Sequence, residues 1–342
     1  LATDRPKIAI FSTGGTIASV RGDQVAASPK LTAEQLVSSV PQLAELADIE
    51  TVRFRQVASS DLTVADVVAL AEAIGRAMDG GVSGAVVTQG TNTLEETSFI
   101  LDLLWGREEP VVLTGAMRNP DLAGADGPAN LLAAAAVAAS PIARGFGALV
   151  VFNDEIHLPL FVRKTHTTST ATFRSPQAGP IGWIMENRVR LALRPVVRHH
   201  ISLPHPPKDV PSVALIKVTL GDDARLLSAI GSLGYQGLIV EATGGGHVPK
   251  VFVEPLTALA VKMPVVLSSR SGAGEILRGT YGFPGSETDL LKRGLIHGGI
   301  LDGPKARLLL TLLLIGGAGR EKITEAFTAI GIPQAGRAFR LP

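Results

Sequence analysis

Hydroxyl and glycine residues gather at three points in the first part of this chain, each directly after a short apolar run. They are Ser12-Thr13-Gly14-Gly15-Thr16, Thr88-Gln89-Gly90-Thr91-Asn92-Thr93 and Thr114-Gly115-Ala116. A threonine hydroxyl attacks a carbonyl carbon once a neighbour takes its proton, and glycine lets the backbone come close to a substrate. One such cluster alone reads equally well as a strand-to-helix turn with a threonine cap. The chain has no cysteine, which excludes thiol catalysis, disulfide frameworks, iron–sulfur clusters and cysteine-based zinc sites. Its seven histidines, at 157, 166, 199, 200, 205, 247 and 297, show no metal-ligand spacing, and no metal is assigned. Of these, His247 beside Gly244-Gly245-Gly246 is kept as a candidate site residue; the others read as structural or solvent-facing. The sequence also lacks a G-x-S-x-G elbow, an H-E-x-x-H pair, a P-loop and a G-x-G-x-x-G turn after the first strand. A threonine nucleophile therefore needs a base other than histidine, and a lysine held neutral is the known substitute.

The elements that must carry these residues follow an α/β rhythm. Ile8 to Phe11, Gly84 to Val87, Val111 to Leu113 and Ala148 to Phe152 are continuous apolar, β-branched runs of the kind buried in a parallel sheet. Between them, Thr63 to Met78, Thr93 to Leu104 and Pro128 to Ala139 carry helical spacing. Thr32 with Gln35 and Thr63 with Asp66 resemble N-caps, the first close to a capping box. Ligands in open α/β sheets sit beyond the carboxyl ends of strands, so three polar strand ends suggest one crevice. Residues 194–211 hold five prolines without periodicity and read as a linker. Beyond it, strands are expected at Val213 to Val218, Gly237 to Val240 and Pro264 to Leu267, and helices at Asp223 to Leu233 and Pro304 to Leu314. The expected architecture is α/β: an N-terminal domain over 1–193 with a mainly parallel sheet flanked by helices, and a smaller C-terminal α/β domain over 212–342.

Composition narrows the partners. Basic and acidic residues balance at 32 and 31, and only 18% of the chain is charged against 46% hydrophobic, which argues against a disordered tail or a polyanion binder. Nucleic acid is therefore not an expected partner. No apolar run reaches the ~20 residues that span a bilayer, so no membrane association is expected. The cytoplasm is the expected compartment, or the periplasm where a leader has been removed ahead of Leu1. Aromatics make up only 4%, with two tyrosines, Tyr235 and Tyr281.

Phe11 to Ser19 (FSTGGTIAS) together with Val86 to Thr97 (VVTQGTNTLEET) resembles the two threonine signatures of the bacterial-type L-asparaginase and glutaminase amidohydrolases. Similarity continues through Ser59-Ser60-Asp61, Thr114 to Pro120, Ala125 to Leu131, Val150 to Asp154, Val162 to Ser175, Ser268 to Arg270 and Leu301 to Leu310. The resemblance implies Thr16 as nucleophile, Thr91 as the second essential threonine, and Lys164 as the lysine that hydrogen-bonds Thr91 and helps move protons. It further implies Ser59 as the holder of the substrate α-carboxylate, with Gly15, Ser60, Gly90, Asn92 and Ala116 lining the substrate. Backbone N–H groups near Gly90, Thr91 and Ala116 would serve as oxyanion donors. Arg118 and Asp126 are expected to brace their loop, and Glu95 and Glu96 to complement a helix start. No cofactor is implied. The family's sites are completed by a neighbouring subunit within dimers that pair into tetramers, so a homo-oligomer is expected.

Two positions depart from the family pattern. Asn92 stands where the family has an aspartate that pairs with the substrate α-ammonium group and joins the threonine–lysine network. An engineered exchange, an adaptation to an amide without an α-ammonium group, and a loss of activity all remain open readings. In the loop from Arg21 to Lys30, Ala26 or Ala27 stands where the family often has a tyrosine, which leaves Tyr281 as the candidate to compensate. In Ala242 to Pro249, Gly245 and His247 replace the family's frequent asparagines; Glu275 and Glu287 both lie near the place of its neighbour-subunit glutamate, which is assigned to neither. The expected activity is hydrolysis of the side-chain amide of L-asparagine, with L-glutamine as a further substrate. A hydrolase of another small amide or lactam and a silent ligand-binding homologue stand beside it.

Overall fold

The computed structural model describes residues 5–15, 17, 19–20, 28–29, 33–204, 207, 209–331 and 340–341. Thr16, Ala26, Ala27, Thr32 and His205 lie outside the described residues. The chain divides into two compact units, Leu1–Arg198 and His199–Pro342.

The strands of the first unit are β1 (Lys7–Ser12), β2 (Ser19–Val20), β3 (Ser28–Pro29), β4 (Asp48–Arg53), β5 (Gly84–Thr88), β6 (Val111–Thr114), β7 (Ala148–Phe152), β8 (Glu155–His157), β9 (Arg163–Lys164), β10 (Phe173–Arg174), β11 (Gly182–Met185) and β12 (Arg188–Leu191). Its helices are α1 (Ala33–Ser38), α2 (Leu43–Leu46), α3 (Val64–Asp79), α4 (Leu94–Leu104) and α5 (Gly127–Ala139). Eight strands form one sheet in the order β12-β11-β8-β7-β6-β5-β1-β4. From β4 to β7 every pairing is parallel; the pairs β7–β8, β8–β11 and β11–β12 are antiparallel.

The parallel part follows from sequence: β5, β6 and β7 are fully buried runs of valine, leucine and alanine, covered on both faces. Ile8, Ile10, Val86, Val112 and Leu149 pack in one cluster with Leu131, Ala134 and Val137 of α5. The alanines let that helix lie close to the sheet: a Cβ on Gly84 would stand 2.1 Å from the Ala138 carbonyl oxygen. At the start of α3, Thr63 and Asp66 form a true capping box.

The second unit contains β13 (His200–Ile201), β14 (Val213–Lys217), β15 (Gly237–Ala242), β16 (Val265–Ser269), β17 (Ile296–His297) and β18 (Arg340–Leu341). Its helices are α6 (Arg225–Ile230), α7 (Val253–Lys262), α8 (Glu287–Lys292), α9 (Gly303–Ile315) and α10 (Arg320–Gly331). A four-stranded parallel sheet, β14-β15-β16-β17, packs Leu238, Val240, Val265 and Leu267 against Leu227, Leu256 and Leu259, while α9 covers β14, β15 and β16. The helix expected over Asp223 to Leu233 shortens to α6, because Ala224 adopts a left-handed conformation (φ 63°) and Asp223 holds the Arg225 amide. Among the described residues no helix is long and apolar enough to cross a membrane.

Candidate active site

The chain runs from β1 out to β4 on one side and returns to β5 on the other, so β1 lies between β4 and β5. The β1–β5 boundary is thus a topological switch point, where an open α/β sheet leaves a crevice at its carboxyl edge. Two of the three polar strand ends meet there. The Thr13 amide and hydroxyl both donate to the Thr88 carbonyl, at 3.0 and 3.1 Å, tying the end of β1 to that of β5. Gly14 and Gly15 then take φ of +106° and +90°, conformations that exclude ordinary side chains. A Cβ on Gly15 would stand 2.1 Å from the Gly90 nitrogen, so only glycine allows the two strand ends to come this close. Gly90 in turn rests against Ser59: a Cβ there would lie 2.8 Å from the Ser59 Oγ.

The third strand end joins from β6. A Cβ on Gly115 would contact the Gln89 carbonyl oxygen at 2.4 Å and Thr91 Cγ2 at 3.3 Å, and Ala116 follows, buried. This loop is held from behind. The Asp126 carboxylate accepts the Met117 and Arg118 amides at about 3.0 Å, and the Arg118 guanidinium donates to the Gly124 carbonyl at 2.9 Å. Asn130 donates to the Gly115 carbonyl at 3.0 Å. The bracing role expected of Arg118 and Asp126 matches these bonds.

Lys164 reaches the same place from the short β9–β10 hairpin, in which it pairs with Phe173. Its Nζ donates to the Thr91 Oγ1 at 2.9 Å and to the Asn92 Oδ1 at 3.3 Å. Burial lowers the Lys164 pKa from the ordinary lysine value, while the Glu95 carboxylate opposes that shift. Glu95 also accepts the Lys164 main-chain amide in its Oε2. Glu95 lies in the first turn of α4, as expected, but its bond to the Lys164 backbone was not legible in sequence because 69 residues separate the two.

The start of α4 has an unusual cap. Thr93 occupies the N-cap position yet makes no side-chain cap bond, a feature whose loss costs about 1 kcal/mol. Its hydroxyl donates instead to the Ser59 carbonyl at 2.7 Å. Buried Gln89 donates to Thr93 Oγ1 at 3.3 Å and to Thr97 Oγ1 at 3.0 Å.

The structure therefore brings Gly15, Ser59, Gly90, Thr91, Asn92, Ala116 and Lys164 together at the carboxyl ends of β1, β5 and β6 within the first unit. Ser59 and Thr91 are buried, Asn92 is exposed, and Ser60 is exposed beside Ser59 in the same turn. His247 and Tyr281 lie in the second unit and meet each other, with ring centroids 5.0 Å apart. Phe283 closes that group at 5.2 Å from His247, and His247 Nε2 lies 3.1 Å from the buried Glu287 carboxylate. Two other histidines, His157 and His297, are held in the interior. His157 is buried with Nδ1 3.0 Å from Ser175 Oγ, and burial lowers its pKa to about 4. His297 accepts the Gly299 amide on Nδ1, which leaves Nε2 to donate to the Ile276 carbonyl at 2.7 Å.

Comparison with known proteins returns one family for both units. Residues 7–197 match the family model "Asparaginase, N-terminal" and residues 212–327 match "Glutaminase/Asparaginase C-terminal domain". The chain is 36% identical over 320 residues to a probable periplasmic L-asparaginase of Haemophilus influenzae, covering 92% of this chain and 90% of that protein. It is 38% identical over 333 residues to a probable L-asparaginase of Deinococcus radiodurans, covering 94% of this chain and 97% of that protein. A solved structure of a probable cytoplasmic L-asparaginase from Campylobacter jejuni superposes with a TM-score of 0.86 at 32% identity, over 95% of this chain and 99% of that one. On this agreement of sequence and fold, the chain belongs to the asparaginase family.

Proposed function

We propose that this protein is an amidohydrolase that converts L-asparagine to aspartate and ammonia, with L-glutamine as a secondary substrate, through an acyl-enzyme on Thr16. The observation that carries the reading is the Lys164 Nζ to Thr91 Oγ1 contact of 2.9 Å, made by a lysine whose burial favours the neutral amine. In the neutral form the contact reverses: the Thr91 hydroxyl donates to the amine lone pair, and Thr91 can then accept a proton from a substrate-side hydroxyl or water. In this reading Thr16 attacks the amide carbon, its proton passes toward Lys164, and the same proton store protonates the departing ammonia. Water repeats the attack on the ester and frees the acid. Backbone N–H groups of Gly90, Thr91 and Ala116 are assigned to the oxyanion, and Ser59 to the α-carboxylate. Membership of the asparaginase family supports this assignment of roles.

The same reading makes the protein a cytoplasmic homo-oligomer, a dimer or tetramer, whose sites are completed by a neighbouring subunit; His247 and Tyr281 are the second-unit residues assigned there. Ammonia release from L-asparagine by the purified full chain and by its Asn92→Asp variant tests the assignment. Activity in either supports it, and none in both overturns it. A second reading has its own observation, because Asn92 offers the substrate a neutral amide where the family places a carboxylate. If the unmodified chain hydrolyses a small amide or lactam without an α-ammonium group faster than asparagine, that reading replaces the first.

A further inference from the structure

We propose that Gln89 and Thr93 are positioning residues that set the affinity of the site for the substrate carboxylate by holding the main chain of Ser59. The inference rests on the assignment of Ser59 to that carboxylate and concerns groups to which that assignment gives no role.

Three observations carry it. The Thr93 hydroxyl occupies an N-cap position and would ordinarily accept an amide of the first turn, as Thr63 does for α3; here it leaves the helix uncapped and donates to the Ser59 carbonyl at 2.7 Å. Gln89 fixes that hydroxyl from the other side, at 3.3 Å, and is itself anchored on Thr97 at 3.0 Å. Fully buried Gln89 leaves its Oε1 without a hydrogen-bond partner among the described residues. A leucine would fill the same space between β5 and α4 without stranding a polar atom, so packing alone does not account for an amide there.

The chain of contacts has one end. It runs from the first turn of α4 through Gln89 and Thr93 to the Ser59 backbone, and the Ser59 Oγ rests against Gly90 where the ends of β1 and β5 come close. Ser59 opens a three-residue turn, Ser59–Asp61, in which its carbonyl accepts the Leu62 amide at 3.3 Å, so the Thr93 hydroxyl at 2.7 Å makes the shorter of the two bonds to that oxygen. Loss of the Thr93 bond therefore loosens the carboxylate-binding hydroxyl, while the Lys164 contact to Thr91, made from the hairpin and independent of the Thr93 hydroxyl, stays in place. Substrate binding weakens and the chemical step does not.

The test uses the full chain with Thr93→Val, Thr93→Ser, Gln89→Met and Ser59→Ala, reading kcat and KM for L-asparagine and the calorimetric Kd of L-aspartate, which needs no turnover. Thr93→Val is expected to raise KM and the aspartate Kd roughly tenfold, the scale of one lost hydrogen bond, with kcat within about twofold. Thr93→Ser restores both to within about twofold. If Thr93→Val does not fold, Gln89→Met is read in the same way, with the same expected increase. Unchanged KM and Kd in Thr93→Val, or a fall in kcat without a rise in KM, overturns the proposal. If Ser59→Ala itself leaves the aspartate Kd unchanged, the carboxylate assignment fails. If Ser59→Ala weakens binding and Thr93→Val does not, only the positioning role fails.

Discussion

Lys164 Nζ and Thr91 Oγ1 lie 2.9 Å apart, joined across 73 residues of sequence. The contact pairs a buried hydroxyl with an amine that burial pushes toward neutrality, the arrangement that the proposed role of Lys164 as proton acceptor requires.

Removing that acceptor tests its role. Lys164→Met is expected to lower kcat for asparagine by about 10²–10⁴-fold with little change in KM, the range for loss of a positioned acid–base group. Lys164→Arg should be no better, because a guanidinium stays charged. Steady-state ammonia release measures both.

The sign of the pH dependence follows from the Lys164 shift. Because the acting form is neutral, activity is expected to rise with pH through the lowered Lys164 pKa. Asn92→Asp puts a carboxylate where the Asn92 Oδ1 now accepts from Nζ at 3.3 Å, which favours the charged lysine. The rising limb of kcat should move to higher pH. A limb that stays in place in the variant argues that another group titrates.

Gly15 tolerates no side chain. At φ +90°, with a Cβ 2.1 Å from the Gly90 nitrogen, Gly15→Ala forces the ends of β1 and β5 apart. A loss of more than about 3 kcal/mol of stability is expected, together with loss of activity. By contrast, Gly81→Ala meets no atom within 4 Å, although its φ of +91° still carries backbone strain. Chemical denaturation of the two variants separates the steric cost from the strain they share.

Acid should weaken the first unit through His157. Burial lowers its pKa to about 4, so the unfolded chain binds the extra proton first. The contribution is fully present above the unfolded value near pH 6.5 and is lost as pH falls toward 4. Its size is roughly 3 kcal/mol. Asp102 acts in the opposite sense: burial raises its pKa to about 6 despite Arg198, and it costs stability as pH rises through that value. His157→Asn is therefore expected to flatten or invert the fall in melting temperature between pH 6.5 and 4.5, as read by calorimetry.

Much of the scaffold was legible because β5, β6 and β7 are buried on both faces and their residues are apolar up to Thr88 and Thr114, which end β5 and β6. Strands such as β4 (DIETVR) and β12 (RVRL) carry polar residues on an exposed face at the two edges of the sheet, which hides them from that criterion. The paired threonine motifs pointed to Gly15, Gly90 and Thr91, and the fold adds why glycine is needed at their crossing. Ser59 and Lys164 could be named only through resemblance, since neither carries a local signal of its partners. Glu95, Gln89 and Thr93 act through contacts that exist only once α4, the hairpin and the Ser59 turn are assembled.

The hairpin that delivers Lys164 has strands of only two residues each. Such a ribbon has little cooperativity of its own, and its lysine contacts span a long loop whose closure is entropically slow. The hairpin and the Lys164 contacts it carries are therefore expected to assemble late on refolding and to open early on warming. Catalytic competence should lag recovery of the helical signal, and thermal inactivation should precede global melting.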